Sequence, residues 1–291
     1  AIDMKNKLYN KLIIGSANLE QKYGINKNEI KIKEFEKIIN FLLKKKESVY
    51  LDTSSEYKNA EKIIGDLNIK KLNIITKIKI KKKTKKSIES EIFQKVFNFK
   101  KIFKNNKIYA LLIHNPECLL SSHGKIIFNY LEKLKNKKYF KKLGISVYDI
   151  KSLKKFTKLY NLDIVQLSYN IFDQRLDNKT ILKNLKKRKI EIHARSIFLQ
   201  GTLLRKRYNN LKNNLLRKKL TDWNKWLKEK KLQPIDVCVS NAILNKKINK
   251  IVVGFDNYLQ FKRYLTIKIR KNDISFFNTN NKKIINPSLW Y

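Results

Sequence analysis

Asp52, Tyr57, Lys77 and His114 all carry groups that give, take or hold protons, and they recur at one kind of place in this sequence. Asp52 belongs to the run Val49–Thr53, and Tyr57 follows it by five residues. Lys77 closes Ile74-Ile75-Thr76-Lys77 within the run Leu72–Ile78, and His114 directly follows the wholly apolar Ile108–Ile113. If these runs are strands, proton-active groups leave the ends of three adjacent strands and can converge on one point, an arrangement suited to acid–base chemistry. Each residue also has an ordinary reading. Asp52 can cap the next helix, Tyr57 is one of 14 tyrosines, Lys77 is one of many lysines, and His114 can be a core histidine satisfied by backbone. Lysine is still an unusual guest in an apolar strand, and the joint placement weighs more than any member.

The elements that must hold these residues alternate along the chain. Lys11–Ser16 reads as a strand, followed by Ile32, Phe35, Ile38, Ile39, Leu42 and Leu43 at helical spacing. The same alternation continues with strand Val49–Thr53 and helix Ala60–Leu67, then strand Leu72–Ile78 and helix Lys86–Phe99. Strand Ile108–Ile113 precedes helix Ile126–Phe140, and strand Leu143–Val147 precedes a helix carrying Leu153, Phe156, Leu159 and Tyr160. Strand Ile164–Tyr169 leads to helix Thr180–Lys187, and Glu191–Phe198 is a seventh strand. An extra helical segment, Tyr208–Lys230, carries Trp223 and Trp226 before a helix begins near Pro234. Ile251–Phe255 and Tyr258–Ile269 form the eighth pair.

Short strands that are apolar throughout, each followed by a helix, predict a parallel sheet covered by helices. Eight such units predict an α/β fold, a closed (β/α)8 barrel formed by one domain over residues 1–291, with a helical insert after strand 7. An open doubly wound sheet is the alternative, but it would carry a G-x-G-x-x-G turn, and the 7 glycines here form no G-x-G. In a barrel, polar residues at the C-terminal strand ends are the catalytic candidates.

A net charge of +43 invites a nucleic-acid reading. Only a small minority of the 67 basic residues is arginine, the residue suited to bidentate phosphate and base contacts. The lysines are spread over the whole chain, so a solvated surface is expected and a nucleic-acid partner is not. No membrane partner is expected either, because no run approaches the roughly 18 to 20 apolar residues of a span. Cys118 and Cys238 form no C-x-x-C pair, so neither a disulfide framework nor a metal site is expected. Ala1-Ile2-Asp3-Met4 lacks the apolar core of a signal peptide, and the expected location is cytoplasmic. The sequence leaves the oligomeric state open.

Six segments in order resemble the aldo-keto reductase family. They are Asp52-Thr53-Ser54-Ser55-Glu56-Tyr57-Lys58-Asn59-Ala60-Glu61, Thr76-Lys77, Leu112-Ile113-His114-Asn115-Pro116, Gly144-Ile145-Ser146-Val147-Tyr148, Gln166-Leu167-Ser168-Tyr169-Asn170, and Ala194-Arg195-Ser196-Ile197-Phe198-Leu199-Gln200-Gly201. The last resembles the R-S-x-F-L-Q-G run of a bacterial branch and leans towards surface-polysaccharide precursors by analogy alone. The resemblance implies reduction of an aldehyde or ketone, such as a sugar, by a nicotinamide nucleotide. Tyr57 would be the general acid, and Lys77 would lower its pKa from an ordinary value of about 10. Asp52 would pair with Lys77, and His114 would orient the carbonyl. The resemblance further implies that Ser146, Gln166, Asn170, Arg195, Ser196, Phe198, Gln200, Gly254, Asp256 and Gln260 line the cofactor site.

Several positions depart from the family pattern. Lys58 replaces a glycine, Val147 replaces an asparagine, and Arg195 stands where many members stack an aromatic ring on the nicotinamide. An arginine plane can stack there too, or it can bind an acidic substrate group. The stretch Gly254-Phe255-Asp256-Asn257 lacks the usual basic residue, Gln260 stands where an arginine is expected, and Lys262 and Arg263 are close in sequence. NADP(H) is favoured by the overall charge, with NAD(H) also acceptable. The loop after the first strand, Gln21 to Gly24, can border the substrate. A cofactor-binding barrel with a regulatory or redox-sensing role and a basic nucleic-acid-binding protein are the alternatives.

Overall fold

The computed structural model describes residues 2–24, 27–208 and 211–290. Eight parallel strands close into a barrel in chain order: β1 Leu12–Gly15, β2 Val49–Asp52, β3 Leu72–Ile78, β4 Lys107–Ile113, β5 Lys142–Val147, β6 Ile164–Ser168, β7 Glu191–Arg195 and β8 Lys250–Val253. The helices are α1 Ile2–Lys11, α2 Ile32–Leu43, α3 Ala60–Asp66, α4 Lys85–Ile102, α5 Gly124–Asn136, α6 Ile150–Leu159, α7 Lys179–Lys187, α8 Asn214–Glu229, α9 Pro234–Leu244, α10 Tyr258–Leu265 and the short α11 Lys282–Ile285. The expected barrel and its insert after β7 are both present.

Alternation along each strand sorts side chains between two environments. One face, with Ile14, Leu51, Ile74, Leu111, Leu143 and Val165 among others, joins the helices in the main core. The other face fills the lumen with Ile13, Ile75, Ala110, Leu112 and Ile164. Gly144 is demanded by this crowding, since a Cβ there would collide with the Ile164 carbonyl and come within 2.8 Å of Leu112. The N-terminal end of the lumen is plugged by polar and aromatic groups. Glu191 pairs with Lys142 and accepts from Tyr109 at 2.9 Å and from His193 at 2.7 Å, while Tyr50 packs edge-on against Tyr109. Burial opposes ionisation of Glu191, yet its partners outweigh burial and hold its carboxyl down at about 2.

Several boundaries differ from expectation, each for a local reason. Helix α1 is absent from the sequence reading. Its last carbonyls are capped by lysines from elsewhere, Lys46 to Tyr9 at 2.7 Å and Lys250 to Asn10 at 2.9 Å. Strand β7 stops at Arg195 because Ser196 turns into the left-handed region at φ 58°. Helix α5 runs from Gly124 to Asn136, ending just before Lys138 at φ 60°. Helix α10 ends at Leu265, after which the Arg270 amide bonds the Ser240 hydroxyl on α9. The insert and the C-terminal segment build a second core over the ends of β6 and β7, centred on the fully buried Trp223, whose indole donates to the Leu203 carbonyl.

Candidate active site

The four proton-active residues meet at the C-terminal mouth. Main-chain bonds between Thr53 and Ile75 (2.8 Å) and between Ser55 and Lys77 (3.2 Å) lay the loop after β2 along the end of β3. A bond from the His114 amide to the Ile78 carbonyl at 2.7 Å brings in β4. Asn115 clamps the same junction, its side-chain amide pairing with both backbone groups of Ile80. Lys58, in the place of the family glycine, adopts φ 39°, a conformation in which a side chain is strained.

Buried Lys77 donates to Asp52 at 2.5 Å and to the Thr53 carbonyl at 2.8 Å. Asp52 also accepts from the Gln166 side-chain amide at 2.7 Å. The Gln166 N–H must face a carboxylate, so its carbonyl oxygen points away, and that oxygen is buried with no partner. The Lys77 ammonium lies 5.2 Å from the Tyr57 ring centre, and the Tyr57 and His114 rings meet edge to face at 6.4 Å. The Ser54 hydroxyl lies 3.2 Å from His114 Nδ1 while accepting from the Glu56 amide. The Ser54 hydroxyl keeps its proton to donate, so Nδ1 can accept it, which is the tautomer that places the imidazole proton on Nε2.

Electrostatics here depart from one expectation. Lys77 does not depress the Tyr57 phenol. Burial, and then the Asp52 carboxylate, push it above its usual value of 10, against the pull of Arg195. The charge of Lys77 is largely cancelled by Asp52 at contact distance. Burial, then Lys77 and Arg195, pull His114 down to about 4, so the imidazole is neutral at physiological pH. Burial raises Glu61, on α3, to about 7 despite a hydrogen bond from Thr76 and the nearby Lys77.

The remaining predicted residues separate into two groups. Ser146 and Gln166 are buried partners in the β5–β6 register, close to the tetrad. Asn170 donates to the Ser196 carbonyl at 3.2 Å and accepts from the Phe172 and Asp173 amides, so its amide shapes the loop after β6. Ser196, Leu199 and Gln200 all adopt positive φ, three strained positions in one turn after β7. The Gln200 carbonyl oxygen is buried without a partner and packs against Gly24, while Phe198 lies half-buried against both cores. Arg195 stacks on Tyr148, its guanidinium carbon 4.2 Å from the ring centre.

On the far side of the mouth, Gly254 faces open space, with only Asn18 within 4 Å of an added Cβ. The Asp256 carboxylate accepts from Asn18 (3.1 Å), Asn28 (2.6 Å) and Gln260 (2.8 Å), so Asp256 and Gln260 are engaged with each other and with the loop after β1. Lys262 lies over the Phe41 ring and Arg263 pairs with Asp236, both turned away from Asp256. Sequence reasoning missed Ser54 as the partner of His114, and also the contacts of Asn18 and Asn28. Tyr148, which follows the end of β5, was within reach of the strand-end rule that found the tetrad. A surface hollow of about 430 Å³ beside Gln94, Phe97 and Lys101 lies on α4 and shares no residue with this constellation.

A buried lysine–aspartate pair, a protonated phenol and a neutral imidazole can deliver a proton to a bound oxygen. No helix among the described residues is long and apolar enough to cross a membrane, and no His/Cys/Asp/Glu group among them could hold a metal. The sequence profile of the Aldo/keto reductase family matches residues 11–279. The fold is similar to an aldo-keto reductase from Bacillus halodurans in its holo form, with a TM-score of 0.71 and 15% identity over 92% of each chain. It is also similar to a glycerol dehydrogenase from Gluconobacter oxydans, with a TM-score of 0.65 and 14% identity over 95% of this chain and 92% of that one. A search of curated proteins finds no match. The family profile spans nearly the whole barrel, and the chain therefore belongs to the aldo/keto reductase family of nicotinamide-dependent carbonyl oxidoreductases.

Proposed function

We propose that this barrel reduces an aldehyde or ketone to the alcohol, with Tyr57 as proton donor. When bound, a reduced nicotinamide supplies the hydride to the carbonyl carbon. Tyr57 gives its phenolic proton to the carbonyl oxygen, and neutral His114 donates from Nε2 to the same oxygen. Lys77, held by Asp52, fixes the Thr53 carbonyl and the loop that carries Tyr57. The unpartnered oxygen of Gln166, with Ser146 its register partner on β5, fits an amide N–H donor, as a nicotinamide carboxamide offers. Gly254 leaves room for the nucleotide's phosphates. Neither nucleic acid nor a membrane surface enters this reading, and free Cys118 and Cys238 suit the cytoplasm.

The observation that carries the proposal is the convergence of Asp52, Tyr57, Lys77 and His114 at one end of the barrel. It is tested by following loss of reduced-nicotinamide absorbance over a panel of aldehydes, ketones and sugars. Tyr57 acts in its protonated form and its pKa is raised, so reduction should be flat from about pH 6 to 9. Alcohol oxidation needs the phenolate and should rise about tenfold per pH unit over that range. Nucleotide binding without turnover on any substrate would favour a regulatory barrel instead.

For the nucleotide itself, Asp256 and its amide partners present no free cation to a 2′-phosphate. The overall positive field still attracts the more highly charged nucleotide. NADPH should therefore be preferred over NADH by less than about 100-fold, and the margin should shrink in high salt. Dissociation constants for both at low and high salt check this. A preference of about 1000-fold that survives salt would require a specific phosphate clamp.

A further inference from the structure

We infer that Arg195 selects carbonyl substrates bearing an anionic group, a carboxylate or a phosphate monoester, and docks that group beside Tyr57. The inference rests on the carbonyl-reductase reading and adds a substrate class to it.

Arg195 is the last residue of β7 and shares a strand face with Glu191 and His193. Glu191 reaches Tyr109 on β4 and Lys142 on β5, contacts that a β7 side chain makes only through the lumen. Arg195 therefore points inward at the mouth. Its Nη2 donates to the Val147 carbonyl at the end of β5 at 3.1 Å, and its plane lies on the Tyr148 ring. The side chain thus spans from β7 across the end of β6 to that of β5. Its remaining contact is a long one, 3.4 Å from Nη1 to the Ser196 hydroxyl.

The other half-buried arginine forks show what is missing. Arg175 sits on Asp173 at 2.7 Å and Arg263 on Asp236 at 2.9 Å. Among the described residues no carboxylate lies within ion-pair distance of Arg195. The buried carboxylate of Asp52 is already held by Lys77 and Gln166. Arg195 keeps several N–H donors and a full charge, in a fork matched to carboxylate and phosphate. Its charge is felt at Tyr57, His114 and Tyr23, so the cation lies within the same mouth as the proton donor. Tyr148 covers one guanidinium face, which leaves the N–H edge as the recognition element.

The test compares matched pairs: 4-oxobutanoate against butanal, and glyceraldehyde 3-phosphate against glyceraldehyde. Wild-type kcat/KM should favour the charged member of at least one pair by roughly 10- to 100-fold, as one charge-assisted bidentate contact provides. The pair that responds identifies the anion. Arg195→Met should erase most of that ratio, lowering kcat/KM for the charged member at least about 10-fold more than for the neutral one, with NADPH binding followed in parallel by its fluorescence. Arg195→Lys keeps the charge without the fork and should fall between. A wild-type ratio near one overturns the inference whatever the variants do. Equal loss for both members, or weakened NADPH binding alone, also overturns it and assigns Arg195 to the nucleotide. Calorimetric binding of 4-hydroxybutanoate to wild type and Arg195→Met measures the same anion preference without turnover. Absence of all carbonyl reduction would thus defeat the parent reading separately.

Discussion

Tyr57→Phe is expected to lower turnover by about 10³-fold, within the 10²- to 10⁴-fold span of a lost general acid, while NADPH affinity stays within about 2-fold. The Tyr57 ring lies 5.2 Å from the Lys77 ammonium and meets the His114 ring edge to face, and among the described residues its hydroxyl has no hydrogen-bond partner. Phe keeps the ring and its edge contact with His114, so the melting temperature should hardly move. Single-turnover rates with saturating nucleotide isolate the chemical step. Retention of wild-type rates would require another donor, and His114 is a poor candidate, because its Nε2–H belongs to a neutral ring.

Lys77→Met should damage both turnover and stability, and the two losses should separate in a double variant. The Lys77 and Asp52 side chains are 2% and 4% exposed. Removing the lysine leaves a buried carboxylate without its cation, which costs about 3–5 kcal/mol. For a chain of this size that corresponds to a melting temperature lower by roughly 10 °C. Asp52→Asn combined with Lys77→Met removes the stranded charge and should regain most of that stability. Turnover should remain at least about 10²-fold down, because the anchor of the Thr53 carbonyl is gone. If the double variant were as unstable as Lys77→Met alone, lost packing and not charge would account for the effect. Thermal melts and steady-state kinetics on the three proteins decide.

The barrel was legible in the sequence because its signals are local. An apolar run followed by helical periodicity depends on neighbours within a dozen residues, and eight repeats of it leave closure as the way to bury both faces of a parallel sheet. Asp52, Lys77 and His114 were legible for the same reason, since a strand's end marks the mouth whatever the rest of the chain does. Other features are decided by groups distant in sequence. Helix α1 ends where it does because Lys46 and Lys250 cap it. Asp256 is tied to the loop after β1 through Asn28, 228 residues away. Arg195 could be stacked or free until Tyr148 and the Val147 carbonyl were placed beside it. The sign of the Tyr57 shift followed the same rule. A nearby lysine leaves a phenol's pKa lowered on balance only where it outweighs burial and neighbouring carboxylates, and here burial and Asp52 prevail.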